Sequence, residues 1–294
     1  MHRSDQPSMK TVISASRRTD IPAFYLDWFF HRLEAGGFKL TNPFNGRVRT
    51  VEVHRDSVAA IVFWSKDYGP LLERRKQLSG WPAVFNFTLN TPDPLLEPGV
   101  PPLEERMEQM AALADIYGAE AVRWRFDPVV FYSRGGNQYD NLGAFERLLE
   151  FAAGLGITAC TISFMDPYRK IERRQRGVTA FSFVYPDPDR MRETAARMAS
   201  AAADHGLTLL TCCEPELAGA GLENITAAGC IDHALIGRLY GAKLSGRRDR
   251  GQRTGSGCLC HESIDIGGYR EQPCRCNCLY CYANPVIDRK EHES

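Results

Sequence analysis

Ala83-Val84-Phe85-Asn86-Phe87-Thr88-Leu89-Asn90 decides the fold. Side chains alternate along a strand, so Phe85, Phe87 and Leu89 share one face, and Asn86, Thr88 and Asn90 share the other. The same division recurs downstream. In Val122-Arg123-Trp124-Arg125-Phe126-Asp127 the apolar Val122, Trp124 and Phe126 oppose Arg123, Arg125 and Asp127. Cys160, Ile162 and Phe164 oppose Thr161 and Ser163, and Leu210, Cys212 and Glu214 share a face. Helices must cover the apolar faces, so the polar ones turn inward. Buried polar groups need partners, which predicts an open or partial barrel with a polar, ligand-holding lumen.

Working outward, apolar runs at 11–16, 59–66, 83–90, 121–127, 158–165 and 207–214 read as strands. Helical patterns lie between them near 22–36, 68–78, 102–117, 140–154 and 187–205, with an added hairpin at 38–42 and 49–54. Strand–helix alternation predicts an α/β fold with a parallel sheet, here a partial TIM-like (β/α)6 parallel barrel with a cysteine-rich C-terminal extension. The expected division is a disordered leader or misplaced start over 1–10, a barrel over 11–241, and a tail over 242–294 packed across the barrel mouth. An antiparallel or open sheet with one solvated face is the alternative.

Lysine plus arginine and aspartate plus glutamate both number 36, so no bulk field draws the chain to nucleic acid or membrane. No apolar run is long enough to span a bilayer, and the polar start lacks a secretory core, so a cytoplasmic protein is expected. Ten cysteines there point to metal or redox chemistry rather than disulfides. Only Cys160 precedes residue 212.

Chemistry in parallel α/β folds gathers at the C-terminal ends of strands. Those ends carry Arg17, Arg18, Lys66, Arg125, Asp127, Ser163 and Glu214. Guanidinium groups pair bidentately with carboxylate or phosphate, so the set suits an anionic or zwitterionic ligand, with Glu214 as a polar anchor. Asp20 reads equally well as the cap of a helix starting near Pro22. His54, His205, His233 and His261 lack metal-pair spacing and are expected to pack or face solvent.

Cys274-Arg275-Cys276-Asn277-Cys278-Leu279-Tyr280-Cys281 places Cys274, Cys278 and Cys281 in C-x3-C-x2-C order, with a tyrosine before the last cysteine. Three thiolates on one loop can each hold one iron of a [4Fe-4S] cluster, leaving the fourth iron open. Cys276 permits a C-x-C-x2-C alternative. The motif resembles that of the radical S-adenosylmethionine superfamily, which is built on a partial (β/α)6 barrel. The resemblance implies S-adenosyl-L-methionine at the open iron, reduced by an external one-electron donor such as ferredoxin or flavodoxin, and cleavage to a deoxyadenosyl radical that abstracts a substrate hydrogen. By their position at the strand ends, Arg17, Arg18, Lys66, Arg125, Asp127 and Glu214 are the candidates to hold that cofactor or the substrate. Two departures stand out: the motif follows the barrel rather than its first strand, and no Gly-Gly-Glu run follows the second strand.

A wider resemblance runs from Val12 through Ser16-Arg17-Arg18-Thr19-Asp20, Asn42-Pro43-Phe44-Asn45, Phe63-Trp64-Ser65-Lys66, Trp124-Arg125-Phe126-Asp127-Pro128 and Ser163-Phe164-Met165-Asp166. It continues in Gly229-Cys230-Ile231-Asp232, Cys258-Leu259-Cys260, Asp265-Ile266-Gly267 and Cys278 to Asn284. These residues are similar to an uncharacterised prokaryotic family classed as a domain of unknown function. In its pattern Cys212, Cys230, Cys258 and Cys260 align with recurrent cysteines, implying a second Fe–S cluster or a zinc ion. Cys160 and Cys213 fall on the apolar strand face and are expected in the core.

Two other accounts stay open. Cys258-x-Cys260 with Cys278-x2-Cys281 resembles a zinc ribbon, which would make the tail structural and the protein a binding or redox module. Basic stretches at 169–176 and 243–250 could touch phosphates, which suggests a radical enzyme that repairs or modifies nucleic acid.

Overall fold

Valine, isoleucine and aromatic residues fill the expected strands, and the chain extends at each of them. The computed structural model describes residues 9–41, 46–252 and 257–283. Residues 1–8 of the expected leader, the Asn42-Pro43-Phe44-Asn45 stretch and Asn284 lie outside them. The order begins with β1 (Thr11–Ala15), α1 (Ile21–Phe24), α2 (Leu26–Glu34), β2 (Gly37–Thr41), β3 (Val48–Glu52), β4 (Val58–Ser65) and α3 (Gly69–Glu73). β5 (Ala83–Thr88), α4 (Leu103–Tyr117), β6 (Val122–Val129), β7 (Phe131–Arg134), β8 (Asn137–Asp140), α5 (Phe145–Gly154) and β9 (Ala159–Phe164) follow. The chain continues with α6 (Arg169–Gln175), β10 (Phe181–Val184), α7 (Pro188–Asp204), β11 (Thr208–Thr211), α8 (Pro215–Ala218), β12 (Ile225–Ala227), α9 (His233–Tyr240) and β13 (Ile264–Asp265).

Eight strands form one parallel sheet in the order β12-β11-β9-β6-β5-β4-β1-β13. The six expected strands are its centre, and they neighbour one another in chain order. The sheet is open, with β12 and β13 as its edges, so no closed TIM barrel forms. Both edge strands are too short for a periodic signal. β13 comes from the tail and pairs with β1, Ile13 opposite Ile264 and Ser14 opposite Asp265. The tail therefore completes the sheet as well as lying near its mouth.

The alternation read from the sequence holds. Ile13, Ile61, Phe63, Phe85, Phe87, Trp124, Phe126, Cys160 and Ile162 are buried in the main core with side chains of α2, α4, α5 and α7. α5 contributes Phe145, Leu148, Leu149 and Ala152, an i, i+3, i+4, i+7 stripe. α7 starts on Asp187, whose carboxylate accepts from Arg190 N at 2.8 Å, with Pro188 pre-set for the first turn. On the opposite face, Val12, Ala60, Val62 and Val84 pack against Ile231 and Ile236. Part of the expected polar lumen is thus an apolar plug capped by α9, and the larger polar space opens at the strand C-terminal ends.

Local details depart from the expectation. The helix expected over 22–36 breaks at Tyr25 into α1 and α2. The expected start of α5 at 140 moves to Phe145, because β8 pairs instead with β7. β7, β8 and β10 form a separate antiparallel sheet on which Tyr132 stacks with Tyr139 at 5.4 Å and with Phe181 at 5.3 Å, cross-strand aromatic pairs that favour such a ribbon. Among the described residues no helix is long and apolar enough to cross a membrane.

Candidate functional site

The strand C-terminal ends, α6 and the tail enclose a cavity of about 620 Å³. Arg17, Arg18, Lys66, Arg125, Asp127 and Ser163 line it, and so does every cysteine except Cys160. Glu214 is not among the lining residues. Its carboxylate accepts from Phe164 N at 2.9 Å and holds the end of β9 beside β11, a structural anchor in place of the expected ligand contact.

The floor of the cavity is built around Trp64. Arg17 and Arg125 lie over its indole, 5.6 and 5.4 Å from the ring, and its Nε1 donates to Ser14 Oγ at 3.1 Å. Arg125 donates to the Asp127 carboxylate and to Cys230 Sγ, the latter at 2.6 Å, and Ser163 Oγ donates to Asp127 as well. Burial works against the Arg125 cation, but Cys230 and Asp127 outweigh it and its pKa rises well above the usual value. Arg17 behaves similarly, burial being outweighed by Cys260 and Asp265. Its Nη2 is buried without a hydrogen-bond partner.

Asp265 organises the turn after β1. Its carboxylate accepts from Ser14 Oγ, Ser16 Oγ and Arg17 N at 3.1, 2.6 and 2.9 Å. Asp20 caps α1 through Ala23 N, as the structural alternative expected, and also accepts from Ser65 Oγ and Lys66 N. Burial pushes its carboxyl up to about 6.

The loop carrying Cys274 to Cys281 is seated by distant backbone. Gly99 N donates to Cys276 O at 3.0 Å, Leu279 N to Leu96 O at 2.9 Å, and Arg174 Nη1 to Cys278 O at 2.9 Å. A Cβ on Gly99 would stand 2.5 Å from Arg275 O, so only glycine permits this approach. Asn277 adopts φ 51, which turns the loop between the cysteines. Ala283 N donates to Cys281 Sγ at 3.3 Å, while Cys276 Sγ lies 3.8 Å from Asp20 Oδ2.

Behind the loop, Glu97 accepts from Lys66 Nζ at 2.8 Å, from Asn90 Nδ2 at 2.9 Å and from Tyr280 Oη, and Arg106 Nη1 lies 3.7 Å away. Burial alone would raise the Glu97 carboxyl, but Lys66 and Arg106 hold it below its ordinary value. Burial raises the Cys278 thiol well above its usual range and the Cys281 thiol to about 11. The Cys276 hydrogen bond lowers Cys274 despite its burial.

Cys212, Cys230, Cys258 and Cys260 pack as a separate group with Cys213 and Trp64. Cys230 Sγ is 3.3 Å from Cys212 Sγ, and Cys212 Sγ is 3.9 Å from Cys213 Sγ. Cys213 therefore does not follow the apolar face into the core. Its backbone lies at φ 63, which breaks the strand alternation and turns the thiol to the cavity. Cys160 is in the core, as expected. The pairs of the zinc-ribbon account part company: Cys258 and Cys260 belong to this group, and Cys278 and Cys281 to the loop. None of the ten cysteines forms a disulfide. Among the described residues no three His, Cys, Asp or Glu side chains stand, as placed, in a group that could hold a metal ion.

His233 and His261 stack at 4.7 Å, and His261 N donates to Ile231 O at 3.0 Å, so both are packing residues, as expected. The basic stretches are partly internal: Arg174 holds the cysteine loop, and Arg248 donates to Leu259 O. Glu97 gave no local signal in the sequence, whereas Asp265 stood in a quoted motif without a role.

A family model described as a domain of unknown function, DUF1848, matches residues 12–283, and the chain belongs to that family. No curated protein matches the chain.

Proposed function

We propose that this protein is an iron–sulfur enzyme of the radical S-adenosylmethionine type, working from a partial barrel whose mouth carries the cluster loop. One observation carries the reading: Cys274, Cys278 and Cys281 line the same cavity as Arg17, Arg18, Lys66, Arg125 and Asp127. The sequential order of the six central strands supports the partial-barrel part.

The donor set fits a cluster. Three thiols share one wall, two of them buried far enough that protonated they would be inert. Lys66 and Arg174 are the cations that interact with Cys278, and Ala283 N–H already points at the Cys281 sulfur. Cations and N–H donors of this kind stabilise sulfur ligands as thiolates. Cys276 is turned toward Asp20, which favours the C-x3-C-x2-C register. Cys274, Cys278 and Cys281 would hold a [4Fe-4S] cluster there, which would pass an electron from the external donor to S-adenosyl-L-methionine.

The chain's own part is to hold and enclose. Arg17, with a buried free Nη2, and Arg18 offer the cavity guanidinium donors for a carboxylate. Asp127 is held by Arg125 and Ser163 and presents an acceptor for an ammonium group. Tyr168, Tyr269 and Tyr282 rim the opening. The external donor is a low-potential protein such as ferredoxin or flavodoxin.

The test is anaerobic reconstitution followed by EPR of the reduced protein, with and without S-adenosyl-L-methionine. A cubane signal that shifts on addition, with deoxyadenosine as product, is expected. A signal that does not respond would leave a redox or structural Fe–S protein, and a colourless zinc protein would sink the reading altogether.

A further inference from the structure

Five thiols gather beside Trp64, although a tetrahedral ion takes four ligands. They arrive from three parts of the chain: Cys212 and Cys213 just after β11, Cys230 between β12 and α9, and Cys258 and Cys260 ahead of β13. Their sulfurs form a continuous series. Cys230 lies 3.3 Å from Cys212, and Cys212 lies 3.9 Å from Cys213. Cys213 and Cys260 both interact with the Cys258 thiol. Sulfurs around one tetrahedral ion with bonds of about 2.3 Å stand about 3.8 Å apart, the spacing that the Cys230–Cys212 and Cys212–Cys213 contacts approach.

The backbone beneath them is fixed. Gly229 lies so close to Leu259 that a Cβ would overlap its carbonyl, and His261 N donates to Ile231 O at 3.0 Å. Segments 229–231 and 258–261 are therefore locked together, and closing the sulfurs around an ion is left to side-chain rotation. The charge also has a destination. Four thiolates on a divalent ion carry two negative charges in excess. Arg125 donates to Cys230 Sγ at 2.6 Å, and Arg17 stacks on the same Trp64 ring. Neutral thiols would leave the Arg125–sulfur contact a weak bond to a buried cation, whereas thiolates make it charge-assisted.

We propose that Cys212, Cys213, Cys230, Cys258 and Cys260 form a second centre for a thiophilic metal, with Cys213 among its ligands. Cys213 has that role because it lies against Cys212 on the strand side and interacts with Cys258 on the tail side. Its left-handed backbone is what aims it there. This centre deepens the sulfur–metal reading above but does not require the cluster loop to bind anything.

The test starts from the triple variant Cys274→Ser/Cys278→Ser/Cys281→Ser, which empties the loop. Anaerobic titration with Co(II) should give one equivalent with sulfur-to-cobalt charge-transfer absorption. Adding Cys213→Ser should weaken Co(II) binding at least tenfold, and adding Cys160→Ala should leave it unchanged. The metal found in the triple variant as purified, zinc alone or iron with sulfide, identifies an ion or a cluster, and either supports the centre. A folded triple variant that takes up no Co(II), or a Cys213→Ser variant that binds as tightly, overturns the inference. If the triple variant does not fold, alkylation of the wild-type chain decides: Zn(II) should protect the Cys213 peptide, and full labelling with Zn(II) present overturns the proposal. Wild-type protein without iron on the loop but with cobalt at this centre would sink the radical reading and leave this one standing.

Discussion

The two sulfur-bearing regions reach one cavity by opposite routes. The loop at 274–281 carries its cysteines within one short stretch, and the fold's task is only to seat that stretch, through Gly99, Leu96 and Arg174. The set around Cys213 has no such local unit, since the end of β11, the link between β12 and α9 and the 258–261 segment must dock before its sulfurs meet. The cations differ too. Lys66, paired to Glu97, stands behind the loop, and Arg125, paired to Asp127, stands behind the dispersed set. A local motif can be read from spacing alone, whereas a dispersed one depends on tertiary structure that spacing does not encode.

The largest effect expected breaks the comparison on the loop side. Cys278→Ser should abolish the S-adenosylmethionine-sensitive EPR signal and deoxyadenosine formation, while Cys276→Ser keeps both. Loss in Cys276→Ser with retention in Cys274→Ser would show the register to be wrong.

Next comes the ion pair behind that loop. Glu97→Gln leaves Lys66 and Arg106 buried without their shared carboxylate, which should cost about 3–5 kcal/mol in denaturant unfolding. The sign with pH follows from the lowered Glu97 carboxyl. Its contribution is complete above its unfolded value of 4.5 and is lost as pH falls through the lower folded one. The variant should therefore show a flatter acid limb than the wild type, and an equally steep limb would assign the acid loss to other groups.

The contrast also explains what the sequence disclosed. Period-2 alternation at Phe85, Phe87, Trp124 and Phe126 placed the central strands and their faces, because each run is long enough to repeat. It failed at Cys213, where φ 63 ends the alternation two residues past the end of the strand. It also failed at Glu214, which lies beyond that break and turns to Phe164 N. β12 and β13 have three and two residues, too few for any periodicity. Asp265 and Glu97 act across 249 and 183 positions, on Ser16 and Tyr280, and no local pattern marks such partners.

Two glycines test the regions separately. Gly229→Ala pushes against the Leu259 carbonyl, and Gly99→Ala against that of Arg275. Each should cost about 1–3 kcal/mol, the range for forcing a methyl group into packed structure. The discriminating measurement is thiol labelling. Gly229→Ala should expose Cys258 and Cys260 and spare Cys278 and Cys281, and Gly99→Ala should do the reverse. Parallel exposure of both sets in either variant would show that the regions open as one unit.

The smallest effect concerns the entrance to the loop. Tyr25 Oη donates to Pro273 O at 2.6 Å, one residue before Cys274, and ties the break between α1 and α2 to the cysteine run. Tyr25→Phe removes one neutral hydrogen bond from a partly exposed side chain. The expected loss is about 0.5–1.5 kcal/mol, since water can replace the donor at the freed carbonyl. Amide exchange should quicken at 274–281 and stay unchanged at 258–261. Exchange that quickens equally at both would mean that Tyr25 supports the shared cavity wall, and the two sulfur regions would then be coupled through α1 instead of independently seated.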